Sequence, residues 1–571
     1  MVQSELCAQR NGGGVSSTDL DCLTGKVRTM LGPQFANRLK DVLRRRHISE
    51  GKALLDRAGA ALLKLQPHHP RAADLLLMVA QWVDLGYRDH RFLDELLANF
   101  PIKSRRKMPL DDYLRVRMVE AFRALSIEEV DTSIEILDFV LKAARESPDE
   151  HLVTLAHFWK GRAHRRKGEY ETALKDIVQA RHYAQKSRDN AMFTAVIQIH
   201  EAWLLFQNGL RKEALRLLAH AETILKSTDH YLALGNIESA RGRIVRRSGE
   251  YAKALDHFDR AIAIYSAGDL THCNLARALV NAAYVRRLLA LQLRKKIDAQ
   301  TRRPNLSRSA GWPNTAASPQ NSLRARYQQI CEETTRQLRQ ARDIYELHGH
   351  LGGIGSVMLN SGYLHLDRGD IDSATVEAIE ASRIAVEKND HILMARSRIL
   401  QAATENARVE EQVGEDVDTA LHANKARQYS EEALTAAQLT QNRRLIAGAH
   451  IARGMTAANE FFQEWETAKR CASEATNLIG AGENDHLLDD LAALKSRIMQ
   501  ASGVNDTLRG WSEGMLGHKT FQQVTEEFAE IVIPKVWMRE DKKISRVAVS
   551  LSISPKKVRR ILRNAGFLDR D

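Results

Sequence analysis

The sequence predicts an all-α chain, a long solenoid of helical hairpins followed by a small helical module at the C-terminus. Three observations carry that expectation. Ala, Leu, Arg and Glu dominate, while glycine and proline number only 32 and 11 among 571 residues, a mixture that favours helix. Four segments repeat one spacing of small residues, as stacked hairpins require. The texture then changes near residue 520, where a short basic segment takes over. A chain of this length is too long for one compact core, so a repeat array or several domains is expected.

The repeat comes first. GRAHRRKGEYETALKDIVQA from Gly161, AWLLFQNGLRKEALRLLAHA from Ala202, GRIVRRSGEYAKALDHFDRA from Gly242 and GYLHLDRGDIDSATVEAIEA from Gly362 share one frame. A small residue opens each, and a glycine follows seven later (Gly168, Gly209, Gly249, Gly369). Alanines come five and twelve beyond that glycine: Ala173, Ala214, Ala254 and Ala374, then Ala180, Ala221, Ala261 and Ala381. The small residue lets two antiparallel helices approach, the glycine supplies the left-handed turn, and the alanines let the next pair stack. With Tyr170 and Tyr251 at the aromatic position and Phe258 at the large apolar one, the pattern resembles the tetratricopeptide repeat. The frames recur about every forty residues rather than roughly 34, which implies longer helices, as in bacterial regulators with helical sensor domains.

Around these frames the pattern is looser. Residues 447–475 keep Trp465, Ala468 and Ala475 but carry Gly454 out of frame. GKALLDRAGAALLKLQ and LRVRMVEAFRALS read as amphipathic helices upstream, and Leu487–Met499 as a capping helix. The solenoid is therefore expected over residues 46–501, after a partly disordered segment 1–45. TRRPNLSRSAGWPNTAASPQNS (Thr301–Ser322) is rich in Pro, Ser and Asn and reads as a disordered insertion. Residues 502–519 read as a linker to a module over 520–571.

That module carries a helix-turn-helix spacing in ISRVAVSLSISPKKVRRILRNAGF (Ile544–Phe567). Val547, Leu551, Ile553, Val558 and Ile561 fall where two steeply crossed helices pack, with Ala548 at the contact. Ser554 suits the cap of the second helix and Pro555 its first turn; Ser552 stands where glycine is usual. Lys556, Lys557, Arg559, Arg560 and Arg563 share the exposed side, a basic surface able to neutralise phosphates and read guanine edges. From Lys535 onward eleven basic residues face four acidic ones, a large share of a net charge of +12 and a pI near 9.4. The frame resembles the Fis-type helix-turn-helix: SRVAVSLSIS matches that family's SRAAxxLGIS, KVRRILRNAGF its TLxRKLKxxGL, and FAEIVIPKVWMRE its upstream helix. The resemblance covers about fifty residues. It implies a dimer on double-stranded DNA, with Ser554, Lys556, Lys557, Arg559 and Arg560 facing the major groove. Pro555 replaces an arginine that reads a base in Fis itself, which leaves the target sequence open.

In the solenoid, the first helix of each pair is expected to line the concave side. The aligned frames put Phe158, Arg162, Arg165, Trp203, Phe206, Asn236, Arg243, Arg246 and Tyr363 there. Such a mixture of arginine, amide and aromatic side chains suits a peptide with carboxylates, against a plain hydrated groove. No catalytic constellation is expected. HGHLGGIGS (His348–Ser356) lacks the lysine and strand context of a phosphate loop and reads as an inter-repeat turn. His348 and His350 have no third metal ligand in sight and read as an exposed loop pair. Five scattered cysteines without CxxC spacing point away from disulfides or zinc, and neither a leader pattern nor an apolar span of membrane length is present. The expectation is thus a cytoplasmic, non-enzymatic DNA-binding transcription regulator without cofactor or metal. Its solenoid receives a peptide, protein or small ligand; the alternative is an interaction scaffold with a C-terminal docking domain and no DNA contact.

Overall fold

The computed structural model describes residues 30–146, 149–186, 188–301, 319–411, 416–480, 483–501, 511, 514, 519–564 and 567–568. Among them every regular element is a helix, and the chain is an all-α, tetratricopeptide-like helical solenoid. The four aligned segments form four hairpins: Glu150–Lys167 with Tyr170–Gln185, Ala191–Gln207 with Arg211–Leu225, Tyr231–Arg247 with Tyr251–Gly268, and Leu351–Asp367 with Ile371–Glu387. Between partners, Gly168, Gly209, Gly249 and Gly369 adopt φ of +85°, +85°, +78° and +83°. The left-handed turn lets the Gly168 and Glu169 N–H groups donate to the carbonyls of Arg165 and His164, satisfying helix-end acceptors that would otherwise be orphaned.

The small residues are small because the helices touch. A Cβ on Gly161 would lie 2.7 Å from Ile177, and one on Gly242 2.9 Å from Phe258. All eight frame alanines are fully buried. A further frame exists that the sequence conceals. Helices Arg443–Ala457 and Trp465–Leu478 pair with Thr456 at the small position, and Gln463 takes the turn at φ +52° where the other frames use glycine. Gly454, out of frame, serves close packing instead: its Cβ would sit 2.6 Å from Leu494.

The stacked pairs wind far enough for successive turns of the superhelix to touch edge to edge. Asp229 accepts from the backbone N–H groups of Ile48 and Ser49 at 2.5 and 2.8 Å. Glu128 accepts from Gly352 at 3.0 Å, Gly168 O from Gln441 N at 3.0 Å, and Arg247 O from Asn484 N at 2.8 Å. These contacts span about 180 to 270 residues of sequence. They narrow the concave side of the solenoid into a deep, partly open interior.

At the N-terminal end, helix Pro33–Arg45 buries Leu39, Val42 and Leu43, so ordered core begins ahead of residue 46. At roughly 1.5–3 kcal/mol per fully buried large apolar side chain, these anchor the helix firmly. Residues 1–29 and 302–318 lie outside the described residues, and with them most of both segments expected to be disordered. The edges of the expected insertion are helical: Cys273–Thr301 precedes it and Pro319–Leu347 already includes residues 319–322. His486–Ala501 packs on the last hairpin through Leu491, Leu494 and Ile498, in the capping position. Most of 502–518 falls outside the described residues. Beyond it, helices Phe521–Arg539, Ile544–Ser550 and Pro555–Asn564 share a core of Ile533, Trp537, Val547, Ala548, Val558, Ile561 and Leu562.

Candidate functional site: an arginine-lined cavity and a basic helix

This interior holds two adjoining cavities, of about 260 and 610 Å³, both partly open to solvent. Arg165, Arg166, Trp203, Arg243, Arg277 and His350 belong to the walls of both. Phe158, Arg162 and Asn236 line the smaller, and Phe206 and Arg246 the larger. Eight of the nine groove residues expected from the frames thus face one connected interior. Tyr363 lies outside both walls. Arg287 sits 4.7 Å over its ring and is itself held by two hydrogen bonds to Asp367. Tyr363 holds the frame position of Arg162, Trp203 and Arg243, but this buried ion pair covers it.

The mixture of aromatic and basic residues has a structural cause. Rings hold guanidinium planes: Arg162 lies 5.3 Å over Phe158, Arg165 5.2 Å over Trp203, Arg246 4.8 Å over Tyr284 and Arg247 4.1 Å over Phe206. Each such contact contributes about 0.5–2 kcal/mol and fixes the direction of a long, flexible side chain. Together the two walls carry thirteen lysines and arginines against five carboxylates, so the interior is strongly electropositive. The carboxylates are engaged. Asp84 accepts from Arg162 and Trp159, Asp89 from Arg91, Glu128 from the Gly352 N–H with His350 beside it, Asp131 from Lys167, and Asp390 from the Leu393 N–H.

Electrostatics follow from this burial and crowding of cations. Burial holds the Arg165 guanidinium well below its ordinary range, with Arg277, Arg162, Arg243 and Arg166 adding repulsion. Burial and then Arg277 bring Arg243 down to about 10; burial and then Arg444 bring Arg247 to about 9. Burial likewise lowers His272 and His350 to about 4 and His200 far below its usual value. These histidines are neutral at pH 7 and add hydrogen-bonding capacity rather than charge.

The frames did not reveal Arg277, Tyr284 or Tyr345, because helices Cys273–Thr301 and Pro319–Leu347 carry no turn glycine to anchor a register. One signal was available: Arg277, Asn281 and Tyr284 recur at four and three residues, one face of a helix. The His348–Ser356 run also differs from its expected form. Only His348–His350 make the turn, with Gly349 at φ +60°, and the remaining glycines lie inside helix Leu351–Asp367. A Cβ on Gly353 would meet Tyr345 at 2.5 Å, so packing demands that glycine. His350 is no exposed loop residue: its Nδ1 accepts from the Gly353 N–H at 2.9 Å, capping the helix beside Glu128. Among the described residues no group of three or more His, Cys, Asp or Glu side chains is placed to hold a metal ion, and no helix is long and apolar enough to cross a membrane.

The C-terminal module presents a second electropositive surface. Ser554 accepts from the Lys557 N–H at 3.2 Å, capping helix Pro555–Asn564, and Ser552 makes the turn at φ +51°. Val558, Ile561 and Leu562 are buried, whereas Ser554, Lys556, Lys557, Arg559, Arg560 and Arg563 are exposed. Arg560 pairs with Glu526 at 3.0 Å, both about half exposed.

No family model matches the chain, and no curated protein does. Several solved structures are similar to it at low identity. A Rap protein complexed with competence and sporulation factor is 11% identical, with a TM-score of 0.47 over 72% of this chain and 99% of that one. The apo form of RapI is 10% identical, with a TM-score of 0.36 over 78% and 96%. A human IFIT1 dimer with m7Gppp-AAAA is 12% identical, with a TM-score of 0.41 over 79% and 95%. Its own hairpins and left-handed turns make this chain a tetratricopeptide-like solenoid.

Proposed function

We propose that the chain is a DNA-binding regulator, a cytoplasmic binding protein rather than an enzyme, whose solenoid receives a ligand or partner and whose C-terminal helix-turn-helix engages duplex DNA as part of a dimer. The observation that carries this reading is the segregation on Pro555–Asn564. Five basic side chains are exposed on a helix of ten residues whose three apolar side chains are all buried. A helix of that size fits the major groove, and guanidinium and ammonium groups along it displace counterions from phosphates. The Arg560–Glu526 pair, being exposed, is weak and can exchange for a phosphate contact. The interior cavity supports the receiving role, since a ligand there would bridge hairpins from successive turns and bias the superhelix.

Fluorescence anisotropy of the full chain on duplex DNA, across a salt series, tests this reading. Binding should weaken steeply with salt, and Arg559→Ala with Arg560→Ala should reduce the slope of log K against log salt by about 2. Undiminished binding by that double variant would remove the helix from the interface. Absence of any DNA binding by the wild type would leave the module as a docking element of a scaffold.

A further inference from the structure

Among the described residues, three cations of the cavity wall have no carboxylate partner of their own. Arg165, Arg243 and Arg277 line both chambers, and the carboxylates around them are committed elsewhere. Three half-buried guanidinium groups facing one partly open cavity repel one another, at a cost that their partial burial increases. The depressed values of Arg165 and Arg243 have burial as their main cause and these arginine neighbours as the next. A free-standing core would not retain such a cluster; a site for a multiply charged anion would.

The wall also discriminates among anions. An extended peptide needs free amide groups to pair with its backbone. Three of the wall amides are already engaged: Asn281 donates to the Arg277 carbonyl, Asn360 to the Ser356 carbonyl and Asn442 to the Tyr170 hydroxyl. The donors concentrated in both chambers are guanidinium forks, from Arg165, Arg166, Arg243 and Arg277, and such forks match phosphate oxygens two at a time. Single carboxylates spaced along a peptide would each meet one arginine and leave the others uncompensated. Contiguous phosphates concentrate the charge where these arginines converge. The larger chamber, about 610 Å³, lies within the roughly 300–1,000 Å³ of small-molecule sites, and its wall includes Trp203, Tyr284 and Tyr345.

We infer that the interior of the superhelix is a binding site for a small molecule bearing a chain of phosphates, held by Arg165, Arg243 and Arg277. The chemistry is shared by inorganic oligophosphates and nucleoside polyphosphates. The inference deepens the reading of the solenoid as the receiving part and is independent of whether the C-terminal module binds DNA.

The test is titration calorimetry and thermal unfolding of the full chain with tripolyphosphate, ATP, GTP, inorganic phosphate and hexaglutamate as probes. Saturable binding of tripolyphosphate or a nucleotide at one site per chain is expected, at least tenfold tighter than that of inorganic phosphate. Tighter binding of a nucleotide than of tripolyphosphate identifies a nucleoside polyphosphate as the ligand; equal binding identifies the phosphate chain alone. Arg165→Gln, Arg243→Gln and Arg277→Gln, made singly so that misfolding of one leaves two others, should each weaken binding at least tenfold. Arg243→Gln and Arg277→Gln should also leave the melting temperature of the free protein unchanged or higher, because a repelling charge is gone, whereas Arg165→Gln also gives up its stacking on Trp203. The C-terminal helix is controlled by Arg559→Gln with Arg560→Gln, which should leave the site intact. Loss of binding in that control but not in the cavity variants overturns the inference and places the anion on the terminal helix, leaving the DNA reading standing. Hexaglutamate binding as tightly as tripolyphosphate, or no saturable binding by any phosphate probe, overturns it as well.

Discussion

The Asp229 carboxylate accepts the backbone N–H of Ser49 at 2.8 Å, across 180 residues of sequence. It accepts the Ile48 N–H as well, and so caps helix Ile48–Leu62 from the next turn of the solenoid. His47, at the N-cap itself, makes no side-chain cap. A single carboxylate therefore satisfies two orphan helix donors and joins two superhelical turns.

Removing it should expose this double role. Asp229→Ala is expected to destabilise the protein by about 0.5–2 kcal/mol, the cost of losing a helix N-terminal cap. Amide exchange at Ile48 and Ser49 should accelerate more than at the buried middle of the same helix. Hydrogen exchange with mass spectrometry checks this, and unchanged protection at those two amides would show that the cap contributes nothing.

Acid should loosen the same region. His230 is buried, and burial followed by the charge of Arg46 lowers its pKa to about 3. The unfolded chain takes up this proton near pH 6.5, while the folded chain resists it. The stability linked to His230 is thus complete above pH 6.5 and is lost progressively as pH falls toward the folded value. Between pH 7.5 and 5 the loss is about 2 kcal/mol from this group. The His230→Gln variant should flatten that part of the stability curve, read from urea unfolding at each pH.

Two glycines at one frame position should respond differently to alanine. Gly209 and Gly249 share the left-handed turn, at φ +85° and +78°. Around a Cβ on Gly209 there is nothing within 4 Å, whereas a Cβ on Gly249 would lie 2.3 Å from the Asn484 carbonyl oxygen. Gly209→Ala should cost only the backbone strain, about 1–2 kcal/mol. Gly249→Ala should cost roughly 1–3 kcal/mol more, because it also pushes away the segment whose Asn484 N–H bonds to Arg247 O. Equal destabilisation of the two variants in urea unfolding would mean that this contact between turns carries no energy.

The buried Arg287–Asp367 pair supplies a fourth measurement. Arg287→Met leaves the Asp367 carboxylate without its main partner and uncovers Tyr363. A loss of about 3–5 kcal/mol is expected, and Asp367→Asn should recover part of it in the Arg287→Met background. Failure of the double variant to recover any stability would assign the loss to packing alone.

The sequence by itself determined the helices, the hairpins and the faces they bury. Those follow from local rules: a glycine where φ must be positive, small residues where two helices meet, and an apolar stripe of period 3.6. The same rules made the C-terminal segregation of Val558, Ile561 and Leu562 from Lys556, Lys557, Arg559 and Arg560 legible, since one helix presents both faces. They also put Arg165, Trp203 and Arg243 on a concave side. Tertiary structure alone decided what that side becomes. Whether Arg277 meets Arg165, whether Arg287 covers Tyr363, and whether Gly249 but not Gly209 touches a neighbour all depend on how far the superhelix rotates before it meets itself. That rotation sums small packing angles over many hairpins, each set by side-chain volumes at a different contact, and no local spacing records the total.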